Sequence, residues 1–228
     1  MVSRRLRGAA VAVVCAVALA GCGSVYPGAA ARVGDESISD EALERSTTGF
    51  CHLIDVINQA QQGTNPPVPL RTAVLSALNT LVTGEAIDQL ARRHGVSVSP
   101  AEVRRWIGGL PLRFDQVPPD GRQELEAVTE RVARNTLLVE RLGQVAYRQQ
   151  NPGGGQAPPD QVQQLGQQLV NRYLRTVGVE TDPRYGQVLD TRRLPGTGSL
   201  SVPVSQEGVA SQTVPEASNT LAKNQECA

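Results

Sequence analysis

The sequence predicts a mainly α-helical domain with long helical arms and a minor two-stranded β element. Three observations carry this. Apolar residues recur at three- and four-residue spacing in four stretches, within 43–57, 70–91, 125–146 and 162–177. Glycine, proline or a capping residue punctuates each of them. The β signals are short: residues 32–38, turning at Gly34-Asp35, and residues 179–185, which add a strand beside the first.

The chain begins with an address. Arg4, Arg5 and Arg7 make a positive segment, and residues 9–20 an apolar run too short to span a bilayer. Leu19, Ala20, Gly21 and Cys22 follow and resemble the lipobox of bacterial lipoproteins, whose cysteine thiol is acylated after cleavage just before it. The competing reading is an ordinary secretory signal with a chance cysteine. The expected division is a lipoprotein signal peptide at 1–21, a tether at 22–31, a helical domain at 32–193 and a disordered tail at 194–228.

Ser39 is placed to cap the first helix, with Asp40 and Glu41 at the positive end of its dipole. Leu43, Phe50, Ile54 and Ile57 form its stripe, with Cys51 alongside. Pro66, Pro67 and Pro69 stiffen the connector to the central helix. That helix carries Leu70, Ala73, Val74, Ala77, Leu78, Leu81, Ile87, Leu90 and Ala91 on one face, and Gly95 stops it. Gly84 near the stripe marks either a close helix–helix approach or a weak point. Ser99, Pro100 and Glu102 then spell a capping box with proline at the first helical position, and Val98 and Val103 sit as a hydrophobic staple.

Residues 108–119 read as a loop. Asp120 and Gln123 look like the cap and third position of a helix of about 30 residues, about 45 Å long. Leu125, Val128, Val132, Val139, Leu142 and Ala146 keep its stripe in phase. The run 151–159 breaks it. Asp160 is read as the cap of a last long helix that Gly178 ends.

Two runs carry a family resemblance. "RVGDESISDEAL" and "LARRHGVSVSPAEV", the latter closing an amphipathic helix, resemble the N-terminal chaperone domain of the extracytoplasmic foldases SurA and PrsA. Trigger factor has a related module. The resemblance covers roughly residues 30–150 and, more weakly, the C-terminal helix. It implies binding of unfolded or exported polypeptide between helical arms, without a chemical step. A thin aliphatic core, two long helices and a Pro/Gly-broken connection should leave part of the apolar stripe uncovered, so Leu125, Val128, Val132, Leu138, Leu142 and Val145 on the long arm, in whatever subset proves exposed, are the candidate client-binding residues. A lipoprotein adaptor that keeps the fold for one dedicated envelope partner is the alternative.

Charge and chemistry narrow the field. Three of the 22 basic residues lie in the leader, leaving 19 bases against 22 acids, a net of −3 and no basic stripe for nucleic acid. Aromatics are 3%, so the core must be aliphatic and thin. His52 and His94 stand at no metal-ligand spacing; His94 suits its helix C-terminus, and neighbours on a helix such as Cys51 and His52 diverge by about 100°. The glycines of 153–155 lack the Lys-Ser/Thr of a phosphate loop. No catalytic residue, metal or cofactor is expected, and residues 108–193 lack the pattern of a parvulin isomerase domain. Cys51 and Cys227 are the candidate disulfide, given an oxidising compartment and an even count of two once the lipidated Cys22 is set aside. In the competing reading Cys51 is a small core hydrophobe and Cys227 a stray thiol.

Overall fold

A computed structural model describes residues 27–60, 68–111, 114, 117–185 and 226–227. The signal peptide, Cys22, half of the expected tether and the tail at 194–225 lie outside those residues.

Strands β1 (Ala29–Val33) and β2 (Glu36–Ser39) form an antiparallel hairpin with Val33 opposite Glu36. Gly34 takes φ +60°, a left-handed conformation that costs glycine little, so the turn falls where the sequence puts it. Ser39 ends β2 and caps α1 (Asp40–Ala60): the Ala42 amide donates to Ser39 Oγ at 3.1 Å.

Helix α2 (Leu70–Arg93) buries Ala73, Ala77, Leu78, Leu81, Ile87 and Leu90 along the expected stripe. Its end is closed by Gly95 at φ +63° and by the Val96 amide, which donates to the Ala91 carbonyl at 2.9 Å. Helix α3 (Pro100–Gly108) opens with the full capping box. The Glu102 amide donates to Ser99 Oγ and the Ser99 amide to Glu102 Oε2. Val98 and Val103 are both buried.

The long helix α4 (Pro119–Gln150) has 32 residues, about 48 Å at the α-helical rise. Helix α5 (Pro159–Val177) returns along it. Both starts differ from expectation. Pro119 and Pro159 are the first helical residues, and the N-caps are Pro118 and Pro158, neither with a side-chain cap bond. Asp120 and Asp160 are therefore inside their helices rather than capping them. The reason is that proline's fixed φ suits the first position, where the missing N–H is one no helix needs.

Gly178, at φ +79°, turns the chain into β3 (Val179–Thr181). This strand pairs antiparallel with β1, so the element is a three-stranded antiparallel sheet, ordered β2-β1-β3. Tyr185 falls past the strand, its amide donating to the Asp182 carbonyl at 2.9 Å.

The core joins these pieces through Val33, Leu78, Val82, Leu138, Leu142 and Val170, all almost fully buried. A smaller cluster of Val56, Val117 and Leu125 fills the junction of α1 with the start of α4. With few aromatics to fill space, backbones approach closely instead. A methyl group at Gly143 would overlap the Val162 carbonyl, and one at Gly166 the Val139 carbonyl, so α4 and α5 touch through reciprocal glycines. Gly49 does the same for α1 against Glu124. Gly84 marks a close approach too, facing the Asn135 amide.

Candidate polypeptide-binding surface

Helix α4 is the spine of the surface, but its apolar stripe faces inward. Leu125, Leu138 and Leu142 are fully buried and Val128 is 3% exposed; Val132 and Val145 are half-buried. Four of the six candidate client-binding residues are thus in the core, and Val132 and Val145 are the subset that keeps partial exposure. The cause is packing: α5 lies along one flank of α4, while α1, α2 and α3 cover others. Among the described residues the most exposed large apolar side chains are Ile57 and Leu70, at 37% each.

Among the described residues, three hollows follow one another along α4. The largest, about 450 Å³, lies between α2, α3 and α4. Val98 and Val103 give it an apolar floor, and Asp88, Arg104, Glu130, Arg131 and Arg134 line it with charge. Arg134 pairs with Asp88 at 2.6 Å, whereas Arg104 and Arg131 make no ion pair among the described residues. A second hollow of about 170 Å³ shares Ala127 and Arg131 with the first and reaches α1 at Ser46. The third, about 220 Å³, shares Asn135 and is lined by Thr, Asn and Gln side chains around Ile87, Val132 and Val139. Val128 and Val132 thus reach hollow walls even though the stripe as a whole does not.

The walls are held by specific bonds. Arg141 pairs with Glu102 and donates to the Ser97 carbonyl at 3.0 Å, latching α3 to α4. The Glu102 carboxyl is held below its ordinary range by the Ser99 amide, then by the Ser99 hydroxyl and the charges of Arg141 and Arg105. At the sheet end, Arg184 bonds both Asp40 and Asp182. Asp182 is consequently depressed, first by its bond from the Arg184 side chain. Burial, with Asp40 next in weight, raises the Tyr185 phenol.

Cys51 and Cys227 are joined by a disulfide, with their Cα atoms 5.0 Å apart. The Cys227 amide also donates to the Val68 carbonyl at 3.0 Å, and Glu226 bridges to Pro69. The C-terminal end is thus docked on the connector between α1 and α2, which composition alone did not reveal. His52 packs over Gly121, and His94 follows the end of α2 in the open. Among the described residues no group of three His, Cys, Asp or Glu side chains is placed to hold a metal. No helix among them is long and apolar enough to cross a membrane.

The missed positions, Ser46, Glu124, Arg131 and Asn135, are polar, so following the apolar period passes over them. The legible signal was Glu124, Ala127, Arg131 and Arg134 at helical spacing, one small residue among charges.

Comparison with known proteins supplies the remaining evidence. A family model described as the SurA-like N-terminal domain matches residues 5–150. No curated protein and no solved structure matches the chain. The match suggests a chaperone-like role in extracytoplasmic folding through binding of unfolded polypeptide, and the disulfide is in keeping with that compartment. With well over half of its length matched, the chain belongs to the SurA-like N-terminal domain family.

Proposed function

We infer that this is a membrane-anchored, extracytoplasmic lipoprotein that holds unfolded or exported polypeptide without catalysing a reaction. The family match carries the reading. The line of hollows beside α4 supports it, because a run of small concavities with apolar floors and hydrogen-bonding walls suits an extended chain. Anchoring is read from Leu19, Ala20, Gly21 and Cys22 alone. Acyl chains on Cys22 would keep the domain at the membrane face, with the following residues as tether.

The test has two parts. Purified mature domain should suppress aggregation of several unrelated denatured proteins at near-stoichiometric ratio, without nucleotide or metal and without accelerating prolyl isomerisation. Replacing Cys22 with Ser should release the protein from the membrane fraction or leave the precursor uncut. Full membrane retention with a free thiol at Cys22 would remove the anchor from the proposal.

A second reading is favoured by one observation. The long arm's stripe is covered, and the largest hollow is charged rather than broadly apolar. That geometry suits an adaptor for one dedicated envelope partner. Such an adaptor would suppress aggregation of none of the unrelated proteins.

A further inference from the structure

We propose that the hollow where α1, α2 and α4 meet reads one backbone amide of an extended polypeptide, through Ser46 and Glu124. The inference rests on the polypeptide-binding reading above and gives it a specific site. Ser46 Oγ and Glu124 Oε2 are both buried atoms without a hydrogen-bond partner, and both residues line the same hollow of about 170 Å³. Ser46 is only 7% exposed. Buried oxygens are ordinarily paired, so two orphans in one small space call for an occupant.

The neighbouring hydroxyls show that pairing was available. Thr47 donates to the Leu43 carbonyl at 2.9 Å, and Thr129 to the Leu125 carbonyl at 2.8 Å, each four residues back along its helix. Ser46 has the Ala42 carbonyl at the same offset and does not take it. Close packing fixes the geometry. Gly49, one turn further along α1, lets that helix press against the Glu124 backbone, which keeps Glu124 beside the Ser46 stretch.

The two oxygens complement a peptide group. A hydroxyl donates to a carbonyl and a carboxylate accepts from an N–H, and a single amide offers both. A phosphate or carboxylate ligand would meet the charge of Glu124. Leu81 and Val128 line the same hollow and offer an aliphatic side chain an apolar seat. Arg131, on the boundary with the larger hollow and without an ion pair among the described residues, favours an acidic residue next in the segment. The occupant is therefore an extended strand carrying an aliphatic residue followed by an acidic one.

The probe is a fluorescent, end-capped ten-residue peptide of alternating valine and serine with one central Val-Asp pair, titrated into the full mature protein by anisotropy. Ser46→Ala and Glu124→Met should each weaken binding about 5- to 20-fold, the loss of roughly one hydrogen bond. Methylating the Val-Asp amide nitrogen should weaken binding to wild type and weaken it no further in Glu124→Met. Ser46→Ala should also raise Tm, since it removes an unpaired buried hydroxyl, a gain in stability set against a loss of binding. Ala42→Leu, which adds bulk to the lining of the hollow and leaves both oxygens in the chain, should abolish binding with the helical circular dichroism unchanged. If wild type binds the peptide and all three variants bind it equally, the site is wrong while the polypeptide-binding reading stands. If wild type binds denatured proteins but not this peptide, the site again falls alone. If it binds neither, both fall.

Discussion

The Tyr173 hydroxyl donates to Gln89 Oε1 at 2.8 Å, and the Arg93 guanidinium lies 4.7 Å over the same ring. Gln89 in turn donates to the Val33 carbonyl at 2.9 Å, so one glutamine ties α5, α2 and β1 together. Tyr173 lies beyond the matched segment 5–150, which makes α5 a structural part of the domain. Tyr173→Phe should keep the fold and lower its stability by about 0.5–1.5 kcal/mol, read from the urea midpoint. An unchanged midpoint would show that water replaces the bond at no cost.

The α4–α5 contact is the most sensitive to volume. Gly166→Ala would place a methyl against the Val139 carbonyl, and Gly143→Ala one against the Val162 carbonyl. Each should cost about 1–3 kcal/mol through forced helix separation. Gly95→Ala, with φ +63° and open space around it, should cost about 1 kcal/mol by backbone strain alone. Equal effects at all three positions would argue against the close approach.

Burial of the long-arm stripe makes a sharp distinction. Leu142→Ala should cost about 2–5 kcal/mol, and Leu138→Asp should unfold the domain, because both side chains are fully buried. Val145→Asp, at a half-buried position, should be far milder. Circular dichroism on heating ranks the three. A folded, client-deficient Leu138→Asp protein would restore the open-stripe expectation.

The Cys51–Cys227 bridge spans a sequence separation of 176 residues. In the chain-entropy model a closed loop of that size stabilises by up to about 5 kcal/mol, less the cost of ordering the C-terminal end. Cys227→Ser should lower Tm and expose one reactive thiol at Cys51 after denaturation. Thiol counting on denatured, unreduced protein should find none at these two positions; two reactive thiols would contradict the bridge.

Acid should weaken the fold through Glu102 and Asp182, whose carboxyls sit below their ordinary range when folded. Their stabilisation is fully present above the unfolded carboxylate range and is lost as pH falls through the lower, folded values. Asp55, raised chiefly by burial, acts in the opposite sense: its contribution is present below its unfolded value and lost as pH rises through the folded one. Denaturant midpoints from pH 7 to pH 2 should fall, and the fall should be shallower in Glu102→Gln and Asp182→Asn. An acid limb identical to wild type in both variants would assign it to other carboxylates.

The sequence by itself determined the local grammar. Gly34, Gly95 and Gly178 stand where backbone signs demand glycine, Ser99 with Glu102 closes a helix start, and apolar periods place four long helices. These features depend on neighbours in the chain, so they are legible in one dimension. The starts of α4 and α5 were misplaced by two residues, with Asp120 and Asp160 read as the caps where Pro118 and Pro158 stand, because proline and aspartate both signal a helix beginning, and only the folded backbone shows which comes first. Tertiary structure alone decided that the α4 stripe is core. An apolar face looks the same whether solvent, client or a second helix lies against it, and here Gly143 and Gly166 bring α5 onto it. It also decided that Ser46 and Glu124, 78 positions apart in the chain, share one hollow with their oxygens unpaired. Such a pairing has no period or spacing to announce it, because it exists only where two helices cross.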